Sequence, residues 1–427
     1  MFIELHILQN FAPSNLNRSD TGAPKDCEFG GHRRARISSQ CLKRAMRDLF
    51  NTGLLIKSSS NDANGSLEQR NQEFKDKLAV RTKRLVGEIA SQLVSPDISD
   101  EEAKQAKLEE ARKVVETALN GVKLTVKENN KTQYLLFLGK AEIERIAELC
   151  KEHYDALLQA SGAATTTQAQ SGARARGSAK DTKKAAKDAV PKELQKAFEE
   201  ALNGGKAVDL ALFGRMLADL PSRNIDAACQ VAHAISTNKT GIEFDFYTAV
   251  DDLRPGDTEG ADMLGTIEFN SACFYRYANV DFNQLSKVNL GGDGELALDG
   301  VEAFLRATVL AVPTGKQNSM AAQNPPSFVL AIARKSGLWS LANAFVKPVR
   351  PDAKGDLVEN SVAQLGAYWG QLAGMYGDGE IIDKCFLALD GKDVDALQGA
   401  RVATLDALVA RMRMALNGRA SDVKGGA

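Results

Sequence analysis

The run FGGHRRARISSQCLKRAMR, residues 29–47, carries Arg33, Arg34, Arg36, Lys43, Arg44 and Arg47 with no Asp or Glu, in a chain whose formal net charge is -1. The positive charge is therefore local, and it calls for an anionic partner. In RRARIS, Arg34, Arg36 and Ser38 alternate with Ala35 and Ile37, so an extended segment would hold two guanidiniums side by side. Planar guanidinium forks pair well with phosphate. Ser38 or Ser39 is a good helix N-cap. Beyond it, Leu42, Ala45, Met46, Leu49 and Phe50 recur at helical spacing and define a buried face. Gln40, Lys43, Arg44 and Arg47 share that period on the opposite side, and the helix N-terminus adds free amides for an anion. A solvated helix face normally interleaves acids, yet none occurs here before Asp48, and the preceding loop adds Arg18 and Lys25. The chemistry that fits is binding of a sugar-phosphate backbone. Tyr247 and Thr248 in DFYTAVDD and Met216 in FGRM are candidate wedges between bases, although a hairpin aromatic or a strand-end methionine is more commonly a core residue.

The elements that must position these residues are legible in outline. MFIELHIL alternates Ile3, Leu5 and Ile7 with Glu4 and His6, which predicts a strand with one face buried. QNFAPSNLNRSDTGAPKDCEFGG reads as a long surface loop. Residues 59–160 read as a helical insertion. Within it, SDEEAKQAKLEEARKVVETALNG opens on a capping-box pattern from Ser99 to Glu102 and stops at Asn120-Gly121. Residues 161–190 contain almost no large apolar side chain and are expected to be a disordered linker. KAVDLALFGRM is expected to resume the sheet, RNIDAACQVAHAIS to form a helix, and GIEFDFYTAV with TIEFNSACFYRYANVDF to form a projecting hairpin. ELALDGVEAFLRATVLAV reads as a helix and SFVLAIAR as a strand, and SVAQLGAYWGQLAGMYG and TLDALVARMRMAL add further helices. Stripped of insertions, this order is that of an α+β, ferredoxin-like β-α-β-β-α-β core, the topology of RNA-recognition domains. The expected division is 1–58 and 191–237 as the first two parts of that core, 238–268 as the hairpin, and 269–427 as the third part with the C-terminal helices.

Composition narrows the function classes. With 44% hydrophobic and 26% charged residues, the chain can bury an ordinary core, and its balanced charge argues against a generic polyanion coat. The N-terminus lacks the basic region of a signal peptide, and no apolar run reaches the ~20 residues of a membrane helix, so a cytoplasmic protein without membrane contact is expected. The six cysteines form no C-x-x-C pair and the four histidines sit near none of them at ligand spacing, so neither a metal site nor a cofactor is expected.

LNRSD, FGGHRRARISSQCLKRAMR, ALFGRM, VAHAISTN, DFYTAVDDL, LGTIEFNSACFYRYANVD, VPTGKQNSMAAQNPP and SLANAFVKPV, in this order, closely resemble the CasC backbone subunits of type I-E CRISPR Cascade complexes. The resemblance runs from the first strand to about residue 350; the helical insertion, the linker and the C-terminal tail carry least of it. It implies a non-enzymatic subunit with a ferredoxin-like palm, a helical fingers domain and a hairpin thumb. Copies would stack head to tail along a guide crRNA, beside other Cascade subunits, and present the guide for pairing with target DNA. It further implies that Arg18, Lys25, Ser38, Gln40, Lys43 and Arg47 contact the guide backbone, that Met216 with Tyr247 and Thr248 holds a displaced nucleotide, and that Lys316 and Gln317 belong to the same channel. Arg44 joins this set on the helix stripe alone. Tyr stands at 247 where the family has Phe, and His32 where lysine is common.

Two other function classes fit the sequence less well. Backbone subunits of type III effector complexes resemble this fold and cut RNA with an aspartate and a metal, and Asp20 and Asp26 lie in the corresponding loop. Neither has a second carboxylate or histidine at readable spacing, and lone loop aspartates are commonly turn residues. A duplex-DNA regulator using RNIDAACQVAHAIS as a helix-turn-helix is disfavoured by the lack of basic residues beyond Arg223.

Overall fold

The computed structural model describes residues 1–53, 55–57, 66–127, 129–161, 190–247, 265–353 and 355–423, with side chains through 417. The chain divides into two compact units: residues 1–72, 229–286 and 292–427 form the first, and residues 73–228 and 287–291 the second.

The first unit is built on an antiparallel sheet. Its strands are β1 (Phe2–Ser14), β2 (Asp26–Phe29) and β3 (His32–Ile37), and the second unit contributes its own small pair β4 (Ala79–Thr82) and β5 (Leu136–Gly139). The large sheet continues with β6 (Cys229–Val231), β7 (Ala234–Ser236), β8 (Glu243–Tyr247), β9 (Gly265–Asp281), β10 (Phe328–Arg334) and β11 (Ile381–Ala388). Its order is β11-β10-β1-β9-β7-β3-β2, with β6 and β8 also paired to β9. Helix α1 (Ser39–Phe50) follows β3, and the helix Gly294–Leu310 follows β9 and packs against α1. With the β6–β7 segment as the second core strand, β10-β1-β9-β7 is the antiparallel 4-1-3-2 order of a ferredoxin-like domain, as expected.

Strand β1 corrects the one-faced reading: Ile3 to Gln9 are all buried. The face carrying Glu4, His6 and Leu8 is covered by the segment from Leu341 to Val349 and by the helix Leu357–Tyr376, through a cluster including Tyr275, Phe345, Leu365 and Trp369. The polar groups there are satisfied by specific partners. Glu4 accepts from Arg334 Nη1 at 2.9 Å, from the Tyr277 hydroxyl at 2.7 Å and from the Trp339 amide at 2.8 Å. Burial raises the Glu4 carboxyl above its ordinary range, and Arg334 opposes the shift. His6 lies 2.9 Å from the Tyr275 hydroxyl, and burial pushes its imidazole down to about 3.

Four further expectations change. KAVDLALFGRM does not resume the sheet; Val208–Phe213 is a short helix of the second unit with Val208 to Leu212 all buried. A short run apolar on every side does not by itself distinguish a buried helix from a buried strand. RNIDAACQVAHAIS is not a helix. Its Cys229–Val231 and Ala234–Ser236 pair with the 17-residue β9, which offers both segments a ladder of hydrogen bonds. Residues 191–228 fall in the second unit rather than in the sheet domain. The helix Glu101–Gly121 starts one residue later than its sequence signature, capped by Asp100 on the Glu102 amide at 3.1 Å. Nearly all of the 161–190 segment expected to be a linker, namely 162–189, lies outside the described residues, as does the hairpin tip from Thr248 to Leu264.

In the second unit the helices Leu85–Leu93, Glu101–Gly121, Lys140–Glu152 and Lys192–Ala201 enclose a core that includes Val86, Val115, Leu138, Ile146 and Phe198. No described helix in either unit is long and apolar enough to cross a membrane.

Candidate nucleic-acid interface

Helix α1 starts where its sequence predicts. Ser38 is the N-cap, its hydroxyl accepting from the Cys41 amide at 3.3 Å, and Leu42, Ala45, Met46 and Phe50 are buried. Gln40 and Arg44 are exposed, and Lys43 and Arg47 are half-buried on the same side of the helix. No acid stands in the first turn. Arg44 meets Asp48 only at 4.0 Å, one turn on and well exposed, which contributes little in water.

The loop before β2 is held against this helix by its asparagines. Asn17 Oδ1 accepts from the Ser38 amide at 2.8 Å, and its carbonyl accepts from the Lys25 amide at 2.8 Å. Asn15 Nδ2 donates to Gly22 O and Glu268 O, both at 2.9 Å, which ties the loop to the base of β9. The segment after the helix Gly294–Leu310 comes close as well: a Cβ on Gly315 would lie 2.7 Å from the Asn15 carbonyl, a spacing only glycine tolerates. Between these pieces lies a cleft of about 540 Å³ lined by residues that include Arg18, Asp20, Cys41, Arg44, Asp48 and Thr314. Burial raises the Cys41 thiol above its ordinary range, and the neighbouring charges of Lys25 and Arg44 oppose it.

Arg18, Lys25, Ser38, Gln40, Lys43, Arg44 and Arg47 are thus brought onto one loop-helix surface, with Arg18 exposed and Lys25 half-buried. Ser38 is buried and spends its hydroxyl on the cap. Lys316 begins the short helix Gln317–Met320 in a left-handed conformation, φ 52°. Gln317 turns inward, donating to Pro313 O at 3.0 Å and Ala322 O at 3.2 Å, so its side chain braces the loop.

The guanidinium pair expected from RRARIS does not form. Arg34 is fully buried and donates to the carbonyls of Ser236 (3.0 Å), Thr237 (2.7 Å), Phe345 (2.7 Å) and Val346 (3.1 Å). It clamps β3 and β7 to the segment 345–346 and is unavailable to phosphate. Alternation placed Arg34 on the face of Arg36; only tertiary packing covers it. Arg33 is held by Asp26. Among the described residues no group of three or more His, Cys, Asp or Glu could hold a metal.

Tyr247 ends β8, whose five residues are all exposed, and faces Gly265 across the ladder. Its ring lies over the Gly265 backbone, where any Cβ would collide with it. Phe244 and Phe246 on the same strand are 67% and 63% exposed, a concentration of solvent-facing aromatic surface that the sequence reading missed. Alternation in EFDFY was the available signal. Thr248 lies outside the described residues.

Met216 belongs to the second unit and is 81% exposed. Its neighbours explain why it stays outside. Arg215 is buried and donates through Nη1 to both Glu142 oxygens at 2.9 and 2.8 Å, and through Nη2 to Leu202 O and Arg223 O. Leu217 is buried on the other side, so the backbone between two anchors has one direction left for Met216.

The CT1975-like protein family matches residues 3–411. The chain belongs to that family. Among solved structures, it is similar to a chain described as "CRISPR RNA-guided surveillance complex, pre-nicking", with 29% identity, a TM-score of 0.71, and coverage of 96% of this chain and 100% of that one. A second, described as "CRISPR RNA-guided surveillance complex", shows 26% identity and a TM-score of 0.64, with the same coverage. No curated protein matches. This member of the CT1975-like family therefore shares a Cascade-type CRISPR fold over nearly its whole length.

Proposed function

We propose that this protein is a guide-RNA-binding backbone subunit of a type I-E CRISPR surveillance complex, that it is not an enzyme, and that it works in the cytoplasm. Copies polymerise head to tail along the crRNA, with other Cascade subunits, and present the guide for pairing with target DNA. The observation that carries this reading is the stripe of Gln40, Lys43, Arg44 and Arg47 on a helix with no acid in its first turn, whose Arg44 lines one cleft with Arg18. Contacts of this kind read phosphate and sugar and leave base edges free, so sequence choice passes to base pairing. Heterologous interfaces that do not close give a filament whose length the RNA sets. Met216, Tyr247 and Thr248 are assigned to holding a displaced nucleotide, and Lys316 with Gln317 to the edge of the guide channel.

The test is purification of the complex after co-expression with a guide, followed by its ultraviolet spectrum and nuclease digestion. Guide-length RNA protected by the assembled protein is the expected result. Protein that assembles without RNA would refute the reading.

A further inference from the structure

We propose that Lys25, Arg36 and His233 form an anion subsite that takes one further phosphate of the bound RNA strand. The inference rests on the guide-binding reading and adds Arg36 and His233 to it.

Sheet register puts the three side chains together. Asp26 pairs with Ala35 and Cys27 with Arg34, and the Arg36 amide donates to Lys25 O at 2.9 Å, which continues that register and sets Lys25 opposite Arg36. On its other side Arg36 pairs with Ile235 of β7, and His233 lies two residues before Ile235, hence on the same face. Arg36 Nη1 stands 3.1 Å from His233 Nδ1, and Arg36 Nε donates to Asp26 O at 3.1 Å.

Two cations directly opposite each other on a strand pair repel, and neither Lys25 nor Arg36 has an ion-pair partner among the described residues. The carboxylate of the adjacent Asp26 is engaged by Arg33. An unbalanced like-charge pair with an exposed imidazole beside it is an arrangement that an external anion relieves. A guanidinium only donates, so His233 Nδ1 accepts from Arg36 and the free imidazole is neutral, with its proton on Nε2. Desolvation, then Arg36 and Lys25, hold the ring below its ordinary value. Those two are the charged groups facing it; Cys27, next to Arg36, is kept protonated because burial raises its thiol.

A phosphate oxygen entering between Arg36 and His233 takes the Arg36 N–H and reverses the field at the ring. Nδ1 then binds a proton from solvent and donates to the same phosphate. RNA binding is therefore coupled to uptake of one proton. Because the bound-state value exceeds the free-state value, affinity rises as pH falls through the window between them and is flat above it.

The experiment measures binding of a single-stranded uridine homopolymer by the full-length chain as a function of salt at about pH 8 and about pH 6. Wild type should bind up to about tenfold more tightly at the lower pH, and H233Q, exposed and therefore tolerant, should bind no more tightly at the lower pH than at the higher. R36Q should lower the log-log salt slope by up to about 0.7 at either pH. Wild-type binding without pH dependence, or H233Q that keeps it, overturns the subsite while the guide-binding reading stands; wild type that fails to bind the homopolymer at low salt overturns both. Should R36Q not fold, the H233Q comparison decides by itself.

Discussion

Replacing Arg34 by Ala tests whether the basic run is one charged surface or two structures with different tasks. The guanidinium makes four charge-assisted hydrogen bonds to carbonyls at 2.7 to 3.1 Å, from a fully buried position and with no carboxylate among those partners. At about 1.5 kcal/mol for each such bond, their loss amounts to roughly 6 kcal/mol. Two effects return part of that: a buried charge is no longer desolvated, and Thr237 O still accepts from the Val349 amide at 2.9 Å. A net loss of roughly 3–4 kcal/mol is expected, a shift of about 1 M or more in the urea midpoint. Tryptophan fluorescence is the assay of choice because the chain's two tryptophans, Trp339 and Trp369, both belong to the unit that contains Arg34. Arg34→Lys should recover only part of the loss, since one ammonium cannot reach four carbonyls of two separate segments. Folded Arg34→Lys protein should bind RNA with the wild-type salt slope. An unchanged urea midpoint in Arg34→Ala, combined with weaker RNA binding and a smaller salt slope, would show that Arg34 faces phosphate and that the clamp is wrong.

Replacing Lys43 and Arg47 together by Ala should lower the salt slope by up to about 0.7 for each lost phosphate contact, and an unchanged slope would return the stripe to an ordinary solvated face. Met216→Ala should leave stability within about 0.5 kcal/mol yet weaken the regular pattern of nuclease protection along a bound guide; an identical pattern would remove the wedge role. Glu142→Gln breaks a fully buried pair with Arg215 and should destabilise the second unit by about 3–5 kcal/mol, read as faster amide exchange from Gly139 to Leu149, and unaltered exchange would contradict the anchor. His6 is held neutral, its imidazole pushed down to about 3, so its contribution is complete above about pH 6.5 and is lost as pH falls toward 3, by up to about 1.4 kcal/mol per unit. His6→Gln should flatten the decline in urea stability between about pH 6.5 and pH 5, and an undiminished decline would place its cause elsewhere.

Local pattern carried the parts of this protein whose signal is local. The 3.6-residue period of Leu42, Ala45, Met46 and Phe50 and the Ser38 cap were enough to write helix α1 and its basic stripe, because a helix face is decided by residues within two turns. The same holds for β9, β10 and the helix Gly294–Leu310, whereas the second strand of the ferredoxin-like core was expected in KAVDLALFGRM and lies in VAHAIS instead. What only the tertiary structure decided lies where distant segments supply the partner. VAHAIS became strand because β9 offers a ladder to it, and Glu4 and His6 became buried because residues 339–376 close over them. Arg34 and Arg36 are two residues apart with the same alternation, yet one is wrapped by the carbonyls of residues 236–237 and 345–346 and the other meets His233 at the surface. Alternation assigns a side chain to a face of the strand, but whether solvent or another segment lies over that face depends on residues some two hundred to three hundred positions away.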